Sequence, residues 1–344
     1  MPPTSALALS VAAGSAFADT TIRFAHMNSE GHFVNEAGTA MAEAVTERTG
    51  GAVTIEMFPS GQLGENSQIT EQITLGGDLI GQVGPGTIAN YVPDFGVMVY
   101  PFMYADYSDA ERLLGSDLWA GIEAQAEEQH NIKVLCYFAF GIRDLYTRET
   151  PVAVPEDMSG LRMRVQPVTI YTEMVRQVFD AAPTPMPWPE VYSAFAQGVI
   201  AAGEAPPAAI LDQRHHEHAN YLIQTNHILD LSPIVMSASL YNGLSEENQM
   251  IVQEEADNAC AIMTDTALSG YQAGIDELES LGMTIISDID LSLFAARAGG
   301  MPRASRSGPT VSLMLHARLS KPSKLNYSCG AGNLPAPHVY ICSL

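Results

Sequence analysis

The sequence predicts an α/β protein of two lobes, with a ligand cleft between them and a long helix bridging both. Three observations predict it. Strand-like and helix-like segments alternate from residue 19 onward, the pattern of βαβ units and mostly parallel sheets. The alternation starts afresh near Gly141, which gives a second unit and hence a cleft. Last, the run Ser245 to Leu281 keeps helical character over about 37 residues, roughly 55 Å at about 1.5 Å per residue, more than one small lobe spans.

The first unit opens on Thr21 to Ala25. A helix follows from about His32 to Arg48, because Val34, Ala37, Met41 and Val45 fall on one face and Gly50-Gly51 stops it. Val53 to Phe58 reads as the next strand, Pro59-Ser60-Gly61 as a turn and Asn66 to Leu75 as a helix. A short apolar strand, Leu79 to Val83, runs into Gly84-Pro85-Gly86, and helix Ser108 to Gln129 and strand Ile132 to Phe138 complete the unit. The second unit places strands at Asp144 to Thr147, Leu161 to Val165 and Val199 to Gly203, with helices Thr169 to Phe179 and Glu190 to Gln197. Ser245 supplies an N-cap oxygen to the long helix, Glu246 and Glu247 suit its first turn, and Gly270 is the expected break. These bounds put lobe I at 19–140 plus 231–270 and lobe II at 141–230 plus 271–298.

With 344 residues, 47% of them hydrophobic, the chain can bury two cores. Its 16 Lys and Arg against 39 Asp and Glu give a net charge of -23, which repels phosphate backbones and anionic headgroups and argues against nucleic acid as a partner. All 39 acids lie at or before Asp290, while five bases, from Arg303 to Lys324, lie beyond residue 298. An anion captured by so acidic a body needs a locally placed cation, so the few arginines of the body become informative.

Residues 1–18 carry a small apolar run ending in Ala16-Phe17-Ala18, the A-x-A pattern of a signal-peptidase site. The expectation is a signal peptide lacking its basic start, removed to leave a soluble periplasmic protein from Asp19. No other stretch approaches the roughly 20 apolar residues of a membrane span. From 299 the texture changes to Gly, Pro, Ser, Arg and Lys with no acid, which reads either as a disordered basic tail or as a frameshifted terminus. Cys136 falls in a strand-like run and Cys260 in the long helix, both expected to be buried free thiols; Cys329 and Cys342 belong to the tail.

Several blocks then occur in order: Phe58-Pro59-Ser60-Gly61-Gln62-Leu63-Gly64; Tyr100-Pro101-Phe102-Met103-Tyr104; Gly141-Ile142-Arg143; Pro155 to Val165, reading PEDMSGLRMRV; and Pro183 to Tyr192, reading PTPMPWPEVY. Together they resemble the substrate-binding (DctP-type) subunits of tripartite ATP-independent periplasmic (TRAP) transporters, over about Thr21 to Ala298. The resemblance implies the two-domain periplasmic solute-binding fold and a protein that is not an enzyme and needs no cofactor or metal. It also implies capture of a small organic carboxylate for ion-gradient-driven uptake, with two membrane subunits as partners and a monomeric binding protein.

Arg164 ends an apolar-flanked strand and Arg143 begins another, so both can point into a cleft at strand ends, where α/β proteins bind ligands. A guanidinium there can grip a carboxylate through two parallel hydrogen bonds. The resemblance makes Arg164 the principal carboxylate ligand and Arg143 a second arginine of the site. Trp188 matches the aromatic that lies against the substrate, although an indole there also suits plain core packing. Gln197 to Pro206 departs from the family: Glu204 persists, but Ala205 replaces an asparagine that often bonds substrate, so one polar contact is lost. The loop Gly84 to Thr87 lacks the charged residues that sialic-acid-binding members place nearby, which favours a smaller, less hydroxylated acid. His26, at the end of the first strand, and Asn28 to His32 are assigned to the far wall.

Two rival readings remain at this stage. His215-His216-Glu217-His218 looks metal-like and could serve an exported metal-dependent hydrolase, but it lacks the H-E-x-x-H spacing and is expected to be a solvated helical face. The other is a binding protein that reports ligand to a signalling receptor.

Overall fold

Alternation of apolar residues puts Ile22 and Phe24 of β1 (Thr20–Ala25) into the core, where β1 pairs in parallel with β2 (Val53–Phe58) and β3 (Leu79–Gln82). The helix Phe33–Arg48 between the first two strands buries Val34, Ala37, Met41 and Val45, as the helical spacing requires. His32 caps it, its ring Nδ1 accepting from the Val34 N–H at 3.2 Å. The structure, a computed structural model, describes residues 20–301; the expected signal peptide, the tail from 302 onward, Cys329 and Cys342 lie outside the described residues.

The remaining strands are β4 (Ile132–Thr147), β5 (Arg162–Val165), β6 (Ala182–Pro185), β7 (Ala202–Ala205), β8 (Tyr221–Ser237) and β9 (Thr284–Ile286). All nine form one sheet in the order β2-β1-β3-β8-β4-β7-β5-β6, with β9 beside β8. The outer parts are parallel, as expected. The centre is not: β3 and β8, β8 and β4, and β4 and β7 pair antiparallel.

This centre corrects the sequence reading in two respects. The segments Ile132 to Phe138 and Asp144 to Thr147 are one strand of 16 residues, roughly 50 Å long, running through both halves of the sheet. Its partner β8, of 17 residues, was not anticipated. Pro233 sits in the middle of β8 opposite Tyr137, and a proline inside a run argues against a central strand because it cannot donate to the ladder. Register shifts between Val134 and Cys136, Ala139 and Gly141, and Arg143 and Leu145 bend the long pair at its middle. Gly141 sits there with φ +137°, and a Cβ on it would come 2.8 Å from Pro206 Cβ, so both conformation and space call for glycine.

The long helical run forms as expected: Ser245 Oγ accepts from the Asn248 N–H at 3.2 Å, and Glu246–Ser269 gives way at Gly270 to Tyr271–Ser280. Its first part packs Ile251, Val252, Ala256 and Met263 into a core shared with Phe24 and Phe138. Its second part packs Ile275 and Leu278 into another core with Ala209, Ile210 and Leu222. Cys136 and Cys260 are disulfide-bonded, not free thiols. Sequence spacing carries no sign of a bond 124 residues apart; only the fold shows that this helix lies on the Cys136 face of β4.

Candidate ligand-binding site

Strand ends and turns from both parts of the sheet face one cleft, with about 800 Å³ of empty space counted out to its mouth. Arg164, Arg143, Trp188 and Ala205 line it; His26 and Glu204 do not.

Arg164 leaves β5 toward the cleft with 2% of its surface exposed. Its Nε and Nη2 donate to the Met186 carbonyl at 3.3 and 3.2 Å, and among the described residues no carboxylate forms an ion pair with it. Its guanidinium carbon lies 5.0 Å from the centre of the half-buried Trp188 ring, a cation–π pairing that also fixes the plane of the fork. Burial pulls its pKa down to about 10, so the side chain stays charged at neutral pH while lacking an anionic partner. Such a buried cation, attracted by Glu204 but ion-paired with no carboxylate, is costly unless an anion meets it.

Arg143 is in the opposite situation. From the middle of β4 it donates through Nε and Nη2 to the Glu204 carboxylate on β7, and through Nη1 to Asp230 Oδ2 on β8 at 2.6 Å. Nη2 also reaches the Glu204 carbonyl at 2.9 Å. Burial works against the charge on Arg143, but Glu204 and Asp230 outweigh it and hold its pKa well above the ordinary value. Glu204 is thus a buried support behind the wall. His227 stands 3.5 Å from Glu204 on the same side and burial keeps its pKa low, so it remains neutral.

His26 is fully buried, its Nε2 3.1 Å from Asn35 Oδ1, with no side exposed to the cleft. Of the residues expected in the far wall Asn28 lines the cleft, joined by Gln82, Ser232 and Thr87. Asn28 Nδ2 donates to Gln82 Oε1 at 3.3 Å and Gln82 Nε2 donates to Ser232 Oγ at 2.5 Å, a chain of neutral hydrogen-bonding groups.

His215 is also placed differently from expectation. It is fully buried in a 3-10 turn, its ring 4.7 Å from Trp188 and its Nδ1 2.9 Å from the Tyr146 hydroxyl. It buttresses Trp188 from behind rather than facing solvent, because Tyr146, Phe195 and Trp188 offer it an aromatic nest that a solvated turn lacks. Among the described residues no group of three or more His, Cys, Asp or Glu side chains is placed to hold a metal ion.

Sequence reasoning missed Tyr171. It lies in the first turn of the helix Thr169–Gln177 after β5, lines the cleft with 1% exposure, and its hydroxyl has no hydrogen-bond partner. A Cβ on Gly86 would come 2.9 Å from its ring, so this glycine of the short helix Pro85–Ile88 makes room for it. The available signal was positional: an aromatic in the first turn of the helix that follows the strand bearing Arg164.

The family model for bacterial extracellular solute-binding protein, family 7 (DctP) matches residues 24–299. The chain belongs to this family. DctP-family members are binding proteins rather than enzymes, and neither the hydrolase nor the receptor-linked reading gains support. The protein is similar to the 2,3-diketo-L-gulonate-binding periplasmic protein YiaO of Escherichia coli K12, at 28% identity over 84% of this chain and 88% of that one. Among solved structures, it is similar to a TRAP periplasmic solute-binding protein of Actinobacillus succinogenes with bound L-galactonate, at 26% identity and TM-score 0.81 over 88% and 99% of the two chains. A Sulfitobacter TRAP solute-binding protein with bound β-D-galacturonate is similar at 25% identity and TM-score 0.80, covering 88% and 100%. The mixed α/β architecture of this DctP-family chain is thus that of known TRAP binding proteins.

Proposed function

We propose that the chain captures a hydroxylated sugar acid on the periplasmic side and delivers it to the membrane subunits of a TRAP transporter. The carrying observation is Arg164, a buried cation without a carboxylate ion-pair partner, at one side of a cleft whose other side carries the neutral hydrogen-bonding groups Asn28, Gln82, Ser232 and Thr87 together with the Glu65 carboxylate. A carboxylate on Arg164 satisfies the cation; hydroxyls on the rest of the ligand exchange water for Asn28, Gln82, Ser232 and Thr87. Trp188 covers an apolar face of the sugar and excludes water. This replaces the expectation of a less hydroxylated acid, which rested on missing charges in the Gly84 to Thr87 loop and overlooked the neutral donors. The sugar acids held by the similar structures support the same class.

In this reading the two lobes divide at 140/141 and 230/231, where β4 and β8 shift register, and again at the Gly270 break. They close by bending there, and the protein works as an exported monomer. Closure follows because a ligand touching both walls stabilises the closed state through contacts it makes only there. The test is a thermal-shift and calorimetric panel of hexonates, hexuronates, keto acids and sulfonates. Saturation at about a thousandfold excess over Kd adds about 4 kcal/mol and several degrees of Tm. Shifts confined to hydroxylated carboxylates are expected; shifts confined to sulfonates or simple keto acids would overturn the class.

A further inference from the structure

We infer that Asp230 and Glu204 set the charge of the ligand, so that the cleft accepts a sugar acid with one negative charge and rejects one with two. This rests on the sugar-acid reading above and adds to it a limit on charge. The cleft and its immediate support hold two buried arginines and two buried carboxylates, Arg143 and Arg164 against Glu204 and Asp230. Arg143 is consumed by both acids: its Nε and Nη2 on Glu204, its Nη1 on Asp230 at 2.6 Å. One cation, Arg164, remains for the ligand.

Among the described residues, no other lining side chain supplies positive charge. His215 beside Trp188 and His227 beside Glu204 are held neutral by burial, and Tyr171 offers a neutral hydroxyl whose proton burial retains. Negative charge, by contrast, faces the cleft directly: Asp230 lines it, and so does the half-buried Glu65, at the start of the helix Asn66–Thr74, with its Oε1 2.9 Å from Ser67 Oγ. A first carboxylate completes an ion pair with Arg164. A second anionic group on the same ligand finds no cation and meets Asp230 or Glu65 where water is scarce and salt screens poorly. A hydroxyl in that place loses nothing, since it can donate to either carboxylate.

Calorimetry on the full chain tests this with galactonate and galacturonate as single-charge probes. Galactarate, which carries a carboxylate at each end of the same six-carbon skeleton, and glycerol 3-phosphate, a dianion at about pH 8, are the double-charge probes. The single-charge acids are expected to bind at least about 100-fold more tightly than galactarate, and Asp230→Asn to narrow that ratio at least about tenfold through stronger galactarate binding. If Asp230→Asn lowers Tm so far that the variant does not fold, Glu65→Gln serves in its place, with an expected narrowing of about threefold or more. Galactarate or glycerol 3-phosphate binding as tightly as galactonate overturns the charge limit while leaving the sugar-acid reading intact, as does an unchanged ratio in a folded variant. Failure of every hydroxylated carboxylate to bind overturns the sugar-acid reading and the charge limit with it.

Discussion

A buried arginine that lacks an acid is held in place by everything around it except its natural partner. Arg164 is oriented by the Met186 carbonyl and by the Trp188 ring, and its remaining donors face the cleft. Truncation of Arg164 to Ala should therefore cost on the order of 2 to 5 kcal/mol of ligand binding, roughly 30- to several-thousand-fold in Kd by calorimetry. It should leave Tm without ligand unchanged or raised, since an uncompensated buried charge is removed. Tyr171→Phe deletes one unpartnered hydroxyl and keeps the ring, so a smaller loss, about three- to tenfold in Kd, is expected. Equal affinity in Tyr171→Phe would show that the hydroxyl does not touch ligand. Arg164, Arg143, Trp188 and Ala205 were legible because they sit within ordered motifs at strand ends, and those motifs fix where a chain enters a cleft. Direction was not legible. Glu204 follows Gly203 on β7 and points behind the wall, and Asp230, 87 residues beyond Arg143, becomes its partner only through the antiparallel register of β4 and β8.

Elements formed by local signals were mostly read well, although Ser108 to Gln129, read as one helix, breaks at Gly115-Ser116 into Tyr107–Leu114 and Asp117–His130; elements formed by long-range pairing were not. The helices Phe33–Arg48 and Glu246–Ser269 carry their own caps, glycine stops and apolar faces, so their bounds follow from the sequence to within a residue or two. β8 carries a proline and a mixed polar pattern, Gln224-Thr225-Asn226-His227, and exists because β4 lies beside it for its whole length. The Cys136–Cys260 disulfide belongs to the same class: both residues are buried, and the bond ties β4 to the long helix that crosses it. A closed loop spanning 124 residues removes a large part of the unfolded chain's freedom, so the bond is worth roughly 4 to 5 kcal/mol in the chain-entropy account. Reduction should lower Tm by roughly 6 to 9 °C in a protein of this size, read by thermal melts with and without reductant. Equal melts with titratable thiols in the native protein would mean that the bond is not formed.

Over the whole molecule, acid and ligand both act through groups buried by closure of the fold. Burial holds His32 at about 4 and His215 at about 3, and lowers His26 and His227 as well, so the folded protein excludes protons that the unfolded chain binds below its ordinary histidine value of 6.5. Stability from these groups is present above that value and falls as pH drops through it. Buried Asp144, raised to about 7, and Asp230, also raised, act in the opposite sense and gain stability on acidification. Near pH 5, His32 and His215 together take up about two protons on unfolding and Asp144 releases about one, a net uptake of about one proton or about 1.4 kcal/mol per pH unit, to which His26 and His227 add and against which Glu123, Asp230 and Asp257, also raised by burial, act. Tm should therefore fall by several degrees from pH 7 to pH 5, and a flat profile would count against neutral buried imidazoles. The closing proposed above has a candidate fastening. The turn after β1 brings Ser29 to Asp212, at the end of the helix Pro207–Asp212 that follows β7, and both the Ser29 hydroxyl and its N–H, the latter at 3.3 Å, donate to that carboxylate. Gly84 and Gln166 approach across the cleft as well, close enough that a Cβ on the glycine would lie 3.2 Å from the amide oxygen. In the closing proposed above, the Ser29–Asp212 bonds form only when the two walls are together and add to the differential stability of the closed state without touching ligand. Asp212→Ala should weaken binding by about 1 kcal/mol, roughly fivefold, because the pair is only half-buried. The loss should appear in a faster koff measured by stopped flow, with kon nearly unchanged, since encounter takes place with the open form. A slower kon with unchanged koff would mean that Asp212 acts on ligand approach rather than on closure.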